Sequence, residues 1–185
     1  MQLREITLLT QKAAAKTFNQ VERYARLERI LAFICMLVPA AFILLDEGNI
    51  RYSISCYYNM DNNQFYYFPL TVASMLFIVN GVMKKKHWYN TFLGIMLAGV
   101  ILFNQNDSSL AHYICAVSFF AGNAVVILVF SPKKELWFKI LIVALIILAL
   151  LGYGVFHWFK LFWAEWISFA LISIHYILES WGIID

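Results

Sequence analysis

Two apolar runs, Tyr66–Met83 and Tyr89–Phe103, are separated only by Lys84-Lys85-Lys86, His87 and Trp88. This feature constrains the chain more than any other. Uncharged runs of that length belong in hydrocarbon, where a crossing helix needs about 20 residues, whereas three consecutive lysines belong in water. Both demands are met if the runs are two membrane-crossing helices and the lysines form their turn. An excess of Lys and Arg marks the cytoplasmic side of such a turn.

With that turn inside, the rest of the chain falls into register. The apolar runs predict spans at about 30–45, 66–83, 89–103, 110–130, 136–157 and 161–181. The expected fold class is therefore all-α, a polytopic transmembrane bundle of about six spans with both termini cytoplasmic. The cytoplasmic segments then hold Arg4, Lys12, Lys16, Arg23, Arg26, Arg29, Lys84, Lys85, Lys86, Lys133, Lys134 and Lys139. That is twelve of the fourteen basic residues, leaving Arg51 and Lys160 outside. Hydrophobic residues make up 62% of the chain and charged residues 14%, against roughly 45–50% and about 25% in a soluble domain. A soluble domain of this length is excluded, and the lysine bias suits a bacterial inner membrane.

Two regions follow from the pattern: residues 1–29, and the bundle over residues 30–185. In the first, Leu3, Ile6, Leu9, Ala13, Phe18, Val21 and Ala25 keep roughly helical spacing, with Lys12, Lys16, Arg23, Arg26 and Arg29 on the other faces. This reads as a basic amphipathic helix, cytoplasmic or interfacial, that continues into the first span. Pro39 predicts a kink there. The connection over residues 46–65 is the longest, and its tyrosines suit an interface. Part of it is expected to dip back into the protein, which requires cover for its backbone.

Small residues supply close helix contacts in a bilayer. Gly94 and Ala98 on the third span, with Ser118 and Gly122 on the fourth, predict that these two faces meet. Gly152 and Gly154 predict a bend or a close neighbour late in the fifth. Intramembrane polar groups mark packing or function, because they are costly there. Asn80, Asn123, Glu165 and Glu179 are the candidates for a polar path, and His175 with Glu179 is spaced for a local pair. A second set, Asp61, Asp107, His112, His157 and Glu165, gathers near the outer ends of the spans. Cys35, Cys56 and Cys115 show no metal or redox spacing. No phosphate loop, nucleophile elbow or HExxH motif is present, and no cofactor is expected.

Ser53-Ile54-Ser55-Cys56-Tyr57-Tyr58, together with His112-Tyr113 and Phe119-Phe120, is similar to a segment pattern of uncharacterised bacterial six-helix membrane proteins. That group looks distantly like the ceramidase and progestin-receptor membrane hydrolases. The resemblance implies a helical fold and, for a hydrolase, zinc chemistry through a Ser, an Asp and three His. Here the last helix has only His175, and no second His lies four residues from it.

The first functional expectation is a homo-oligomeric ion channel or pore-forming effector rather than an enzyme. An anionic ligand or nucleotide, or anionic lipid, would act at Lys12, Lys16, Arg23, Arg26, Arg29 and Lys84–Lys86, in a bacterial defence setting. The alternatives are a structural or regulatory subunit beside a partner protein, and a metal-dependent lipid hydrolase using Asp107, His112, His157 and His175. Membrane lipids are partners under every reading.

Overall fold

A computed structural model describes residues 2–83, 87–106, 108–131 and 133–184, with side chains described from Glu22 onward. Lys84–Lys86 and Asp107 lie outside the described residues, as do the side chains of Lys12 and Lys16. Six helices follow in order: α1 (Gln2–Leu45), α2 (Gln64–Met83), α3 (Trp88–Leu102), α4 (Ser109–Val125), α5 (Leu136–Gly154) and α6 (Leu161–Ser180). A 3-10 turn, Ile54–Asn59, interrupts the first connection, and a π-turn, Val126–Phe130, extends α4. No strand occurs among the described residues.

Among the described residues five helices are long and apolar enough to cross a membrane, the first of them over Glu22–Leu45. The remaining expected span, 89–103, differs. At 15 residues α3 is shorter than the others, and at about 1.5 Å per residue it rises only about 23 Å.

The helices close a ring, each packing on the next in chain order and α6 returning to α1. One joint is incomplete. α5 packs on the π-turn at the end of α4 but not along α4 itself. The ring has a basic end, with the end of α2, the start of α3, the α4–α5 turn and the end of α6. Its aromatic end holds the α1–α2 connection and the α3–α4 and α5–α6 turns.

Burial follows the helical period. On α1 the buried stripe is Glu28, Leu31, Ala32, Cys35, Val38 and Phe42, and on α5 it includes Lys139, Ile142, Val143, Ile146 and Ala149. Inside the ring, the Phe77 ring lies 5.6 Å from Phe119 and 5.9 Å from Tyr176, and Phe169 lies 5.6 Å from Phe119. Edge-on and tilted ring pairs of this kind fill a core densely.

α1 runs unbroken through Pro39. A proline cannot donate to the carbonyl four residues back, here Cys35. The next carbonyl, Met36, accepts from Trp166 Nε1 at 3.0 Å and ties α1 to α6. α1 stops where Glu47, at φ +56°, lets the Gly48 N–H reach back to the Ile43 carbonyl at 2.8 Å, a left-handed closure of the helix.

Two expectations are corrected. Gly94 faces α2, not α4: a Cβ there would lie 2.7 Å from the Ser74 carbonyl oxygen, and Ser74 Oγ donates to the Gly94 carbonyl at 2.8 Å. Gly122 does face α3, against Leu93. α5 ends at Gly154 rather than His157. The following turn folds Trp158 and Phe159 onto Gly152, where a Cβ would meet the Phe159 ring at 2.9 Å.

Candidate functional site

The incomplete joint opens a cleft of about 480 Å³ between α4 and α5 toward the aromatic end. Its sides are apolar, from Ala116, Val117 and Ala124 on α4 to Ile146, Ile147 and Leu150 on α5. Val117 and Ile147 are exposed on the outer surface of the bundle, whereas His112, Phe120, Ile146 and Glu165 are buried. The cleft therefore runs from the bundle's outer face to its interior.

The polar groups gather at its aromatic end: Ser55, Gln105, His112, Tyr113, Tyr153 and Glu165. They come from five segments, with His112 and Tyr113 both on α4. The 3-10 turn begins where Ser53 Oγ accepts from the Cys56 N–H at 3.3 Å, and Ser53 Oγ lies 2.9 Å from Ser55 Oγ. This segment dips into the ring, with Ser53, Ile54, Ser55 and Tyr57 buried, as expected from the sequence. Glu165, in the second turn of α6, accepts from the Ile54 N–H at 2.6 Å. The Phe162 N–H donates to the Tyr52 carbonyl at 2.8 Å, so α6 holds the segment by its backbone.

His112 Nδ1 lies 2.7 Å from the Phe103 carbonyl oxygen. A carbonyl only accepts, so Nδ1 carries a proton and donates to it. Gln105 Nε2 donates to the Tyr113 hydroxyl at 2.5 Å, and the Tyr52 and Tyr153 hydroxyls bond across the mouth. Among the described residues no lysine or arginine lines the cleft.

The connection outside the cleft is pinned by charge. Arg51 bonds both carboxylate oxygens of Asp46, Nε and Nη2 each at 2.7 Å. This hydrogen bonding holds the Asp46 carboxyl below the usual range and the Arg51 guanidinium above it. Burial pushes the Tyr57 hydroxyl up, and it donates to the Asn49 carbonyl at 2.7 Å.

The expected outer-end set is partly brought together. His112 and Glu165 share the cleft, Asp61 is exposed in the connection and His157 is exposed in the α5–α6 turn at φ +52°. His175 is fully buried toward the basic end, ten residues along α6 from Glu165, or about 15 Å. The described members of the proposed hydrolase quartet thus lie at three separate places. Among the described residues no three His, Cys, Asp or Glu side chains group to hold a metal ion.

The expected polar path divides. Asn80 is buried and donates to Glu28 Oε1 at 3.0 Å. Asn123 is buried, donates to the Phe119 carbonyl at 2.9 Å and accepts from the Tyr176 hydroxyl at 3.3 Å. Glu179 Oε2 stands 3.3 Å from His175 Nε2, off the line of a good hydrogen bond. These three lie toward the basic end and Glu165 lies at the other.

Several residues of the cleft and of the basic end are masked by ordinary sequence context. Glu28 and Lys139 were legible in principle, because each extends the apolar stripe of its helix by one turn. Gln105, Tyr113 and Tyr153 sit at helix ends, where interfacial polar residues are ordinary.

No curated protein matches the chain, and no solved structure matches it. One family model covers residues 34–180, from within the first apolar span to the last residue of α6, and the chain belongs to that family, the family of unknown function DUF7103.

Proposed function

We propose that the protein is an integral membrane protein that admits part of a membrane lipid into the α4–α5 cleft. The observation that carries this reading is an apolar cleft, open on the bundle's outer face, with every polar lining group at one end. At about 480 Å³ it falls within the range of ligand pockets, about 300–1,000 Å³. In a bilayer the molecules facing that opening are lipids. Because a chain moving from lipid into the cleft gains little from the hydrophobic effect, selection rests on shape and on Ser55, His112, Glu165, Gln105 and Tyr113.

In this reading the basic end is cytoplasmic, as the positive-inside bias supports, and the cleft opens in the outer leaflet of a bacterial inner membrane. The basic first half of α1 lies at the inner surface, where Lys and Arg attract anionic headgroups.

A homo-oligomeric channel or pore-forming effector ranks second. Asn80 and Asn123 are buried within a single chain, whereas a pore between subunits draws on outward faces. Phe77, Phe119, Phe169 and Tyr176 also fill the middle of one ring. A regulatory subunit reading is compatible with lipid binding. A hydrolase reading would now rest on Ser55, His112 and Glu165 rather than on the quartet of Asp107, His112, His157 and His175.

The test is mass spectrometry of lipids retained by the protein in mild detergent. The unaltered chain retains a lipid, and Ala124→Trp, which fills the cleft, lowers its occupancy at least about tenfold. Equal retention by both proteins, or none by either, overturns the reading.

A further inference from the structure

A chain of hydrogen bonds crosses the polar end of the cleft, and it runs in one direction. Gln105 Oε1 only accepts, so the Cys56 thiol, 3.7 Å away, donates to it. With the thiol proton spent, Ser53 Oγ donates to Cys56 Sγ at 3.0 Å. Ser53 has a single hydroxyl proton, so the Ser55 hydroxyl donates to Ser53 Oγ at 2.9 Å. On the other side of the amide, Gln105 Nε2 donates to the Tyr113 hydroxyl.

The chain leaves two loose ends, and both residues line the cleft. Ser55 Oγ has given away its proton and keeps its lone pairs. Tyr113 has accepted and keeps its proton. Next to Ser55, the Ile54 N–H occupies Glu165 Oε2, and Glu165 Oε1 has no hydrogen-bond partner among the described residues. The cleft therefore suits a ligand that donates at Ser55 and Glu165 and accepts at Tyr113.

Size and charge narrow the class. A recess of about 30 Å³ adjoins the cleft and shares Ser55, His112, Ala116, Phe120 and Glu165 with it. A cavity holds one water from about 10–15 Å³, so this recess admits a hydroxymethyl group and excludes a phosphodiester with its substituent. A phosphate would also meet the Glu165 carboxylate, with no lysine or arginine on the lining among the described residues. A buried charge without a partner is costly. An uncharged hydroxyl suits Glu165 in either state, since it donates to a carboxylate and accepts from a carboxylic acid.

We propose that the lipid taken by the cleft is a diacylglycerol. Its free hydroxyl meets Ser55 and Glu165, an ester carbonyl accepts from the Tyr113 hydroxyl, and one acyl chain lies along the apolar sides. The second acyl chain stays in the bilayer, through the opening on the bundle's outer face. This assignment rests on the lipid reading of the cleft and adds the class of lipid to it.

The experiment equilibrates the full chain, in mild detergent, with equimolar diacylglycerol, phosphatidylethanolamine, phosphatidylglycerol and fatty acid carrying the same acyl chains. Mass spectrometry of the repurified protein reads what it keeps. Diacylglycerol should be retained at least about tenfold over each other class. Capping its hydroxyl as a methyl ether should lower retention about tenfold, the scale of one hydrogen bond lost with its partner left buried. Tyr113→Phe and Ser55→Ala should each lower diacylglycerol retention about fivefold or more. Another class retained as well as diacylglycerol, a methyl ether retained as well as its parent, or unchanged retention in both variants overturns this proposal and leaves the lipid reading standing. No lipid retained, or equal retention by Ala124→Trp, overturns both. If Ser55→Ala does not fold, Tyr113→Phe and the methyl ether decide.

Discussion

Glu165 on α6 accepts the backbone N–H of Ile54 at 2.6 Å, so one carboxylate oxygen both anchors the re-entering connection and belongs to the lining of the cleft. The connection has no regular partner for its backbone, and buried N–H groups without partners are rare. Glu165→Leu should leave that N–H unpaired, at a cost of about 1–3 kcal/mol. Glu165→Gln keeps an acceptor at the same reach. Hydrogen exchange in detergent should show faster exchange at Ile54 in the first variant only. Equal protection in both would mean that the bond does not hold the segment.

The Asp46–Arg51 pair sets a pH dependence at the same end. The folded carboxyl lies below its usual value because of the two Arg51 hydrogen bonds. A depressed carboxyl stabilises the folded state above its unfolded value, about 3.9, and that contribution is lost as pH falls through the lower folded value. The thermal midpoint of the unaltered chain should therefore drop more steeply below about pH 4 than that of Asp46→Asn. Parallel pH profiles would show that the pair is silent.

Gly94 and Gly154 should respond in opposite directions. At Gly94 an added Cβ would lie 2.6 Å from Ile78 Cγ1 and 2.7 Å from the Ser74 carbonyl oxygen, so α2 and α3 must separate. Overpacking of this kind costs about 1–3 kcal/mol. At Gly154 nothing lies within 4 Å, and alanine there should be neutral or gain up to about 0.5–1 kcal/mol. Thermal unfolding of the two alanine variants in one detergent tests the contrast. A stable Gly94→Ala would remove the close α2–α3 approach.

The helices were legible because hydrocarbon and water impose length and charge rules that each run obeys by itself. The cleft was not, because it arises from a missing contact between α4 and α5, and the sequence of either helix is as apolar as one that packs. The re-entering segment was half legible: Ser53, Ser55 and Tyr57 lie in a connection too long and too aromatic to hang in water. Of the expected outer-end set, His112 and Glu165 line the cleft, whereas His157 is exposed in the α5–α6 turn. Level along the normal says nothing about which way a turn at φ +52° throws its side chain. Lys139 was counted with the solvated cations, yet it is fully buried. Its place on the stripe with Ile142, Val143 and Ile146 carried the information, and its charge masked it.

Orientation is decided by chemistry at the two ends of the ring. Asn106 lies in the α3–α4 turn at the aromatic end and Lys133 in the α4–α5 turn at the basic end, and both are exposed. Cys35 and Cys115 are buried, so they stay silent toward an aqueous reagent. Cys56 is half-buried at the aromatic end, and Cys56→Ser removes its background. In that background, Asn106→Cys should react with a membrane-impermeant maleimide in intact cells, and Lys133→Cys only after permeabilisation. The reverse pattern would place the basic end outside. The lipid cleft would then open in the inner leaflet. The fold would stand unchanged, while the positive-inside argument that began with Lys84–Lys86 would fail.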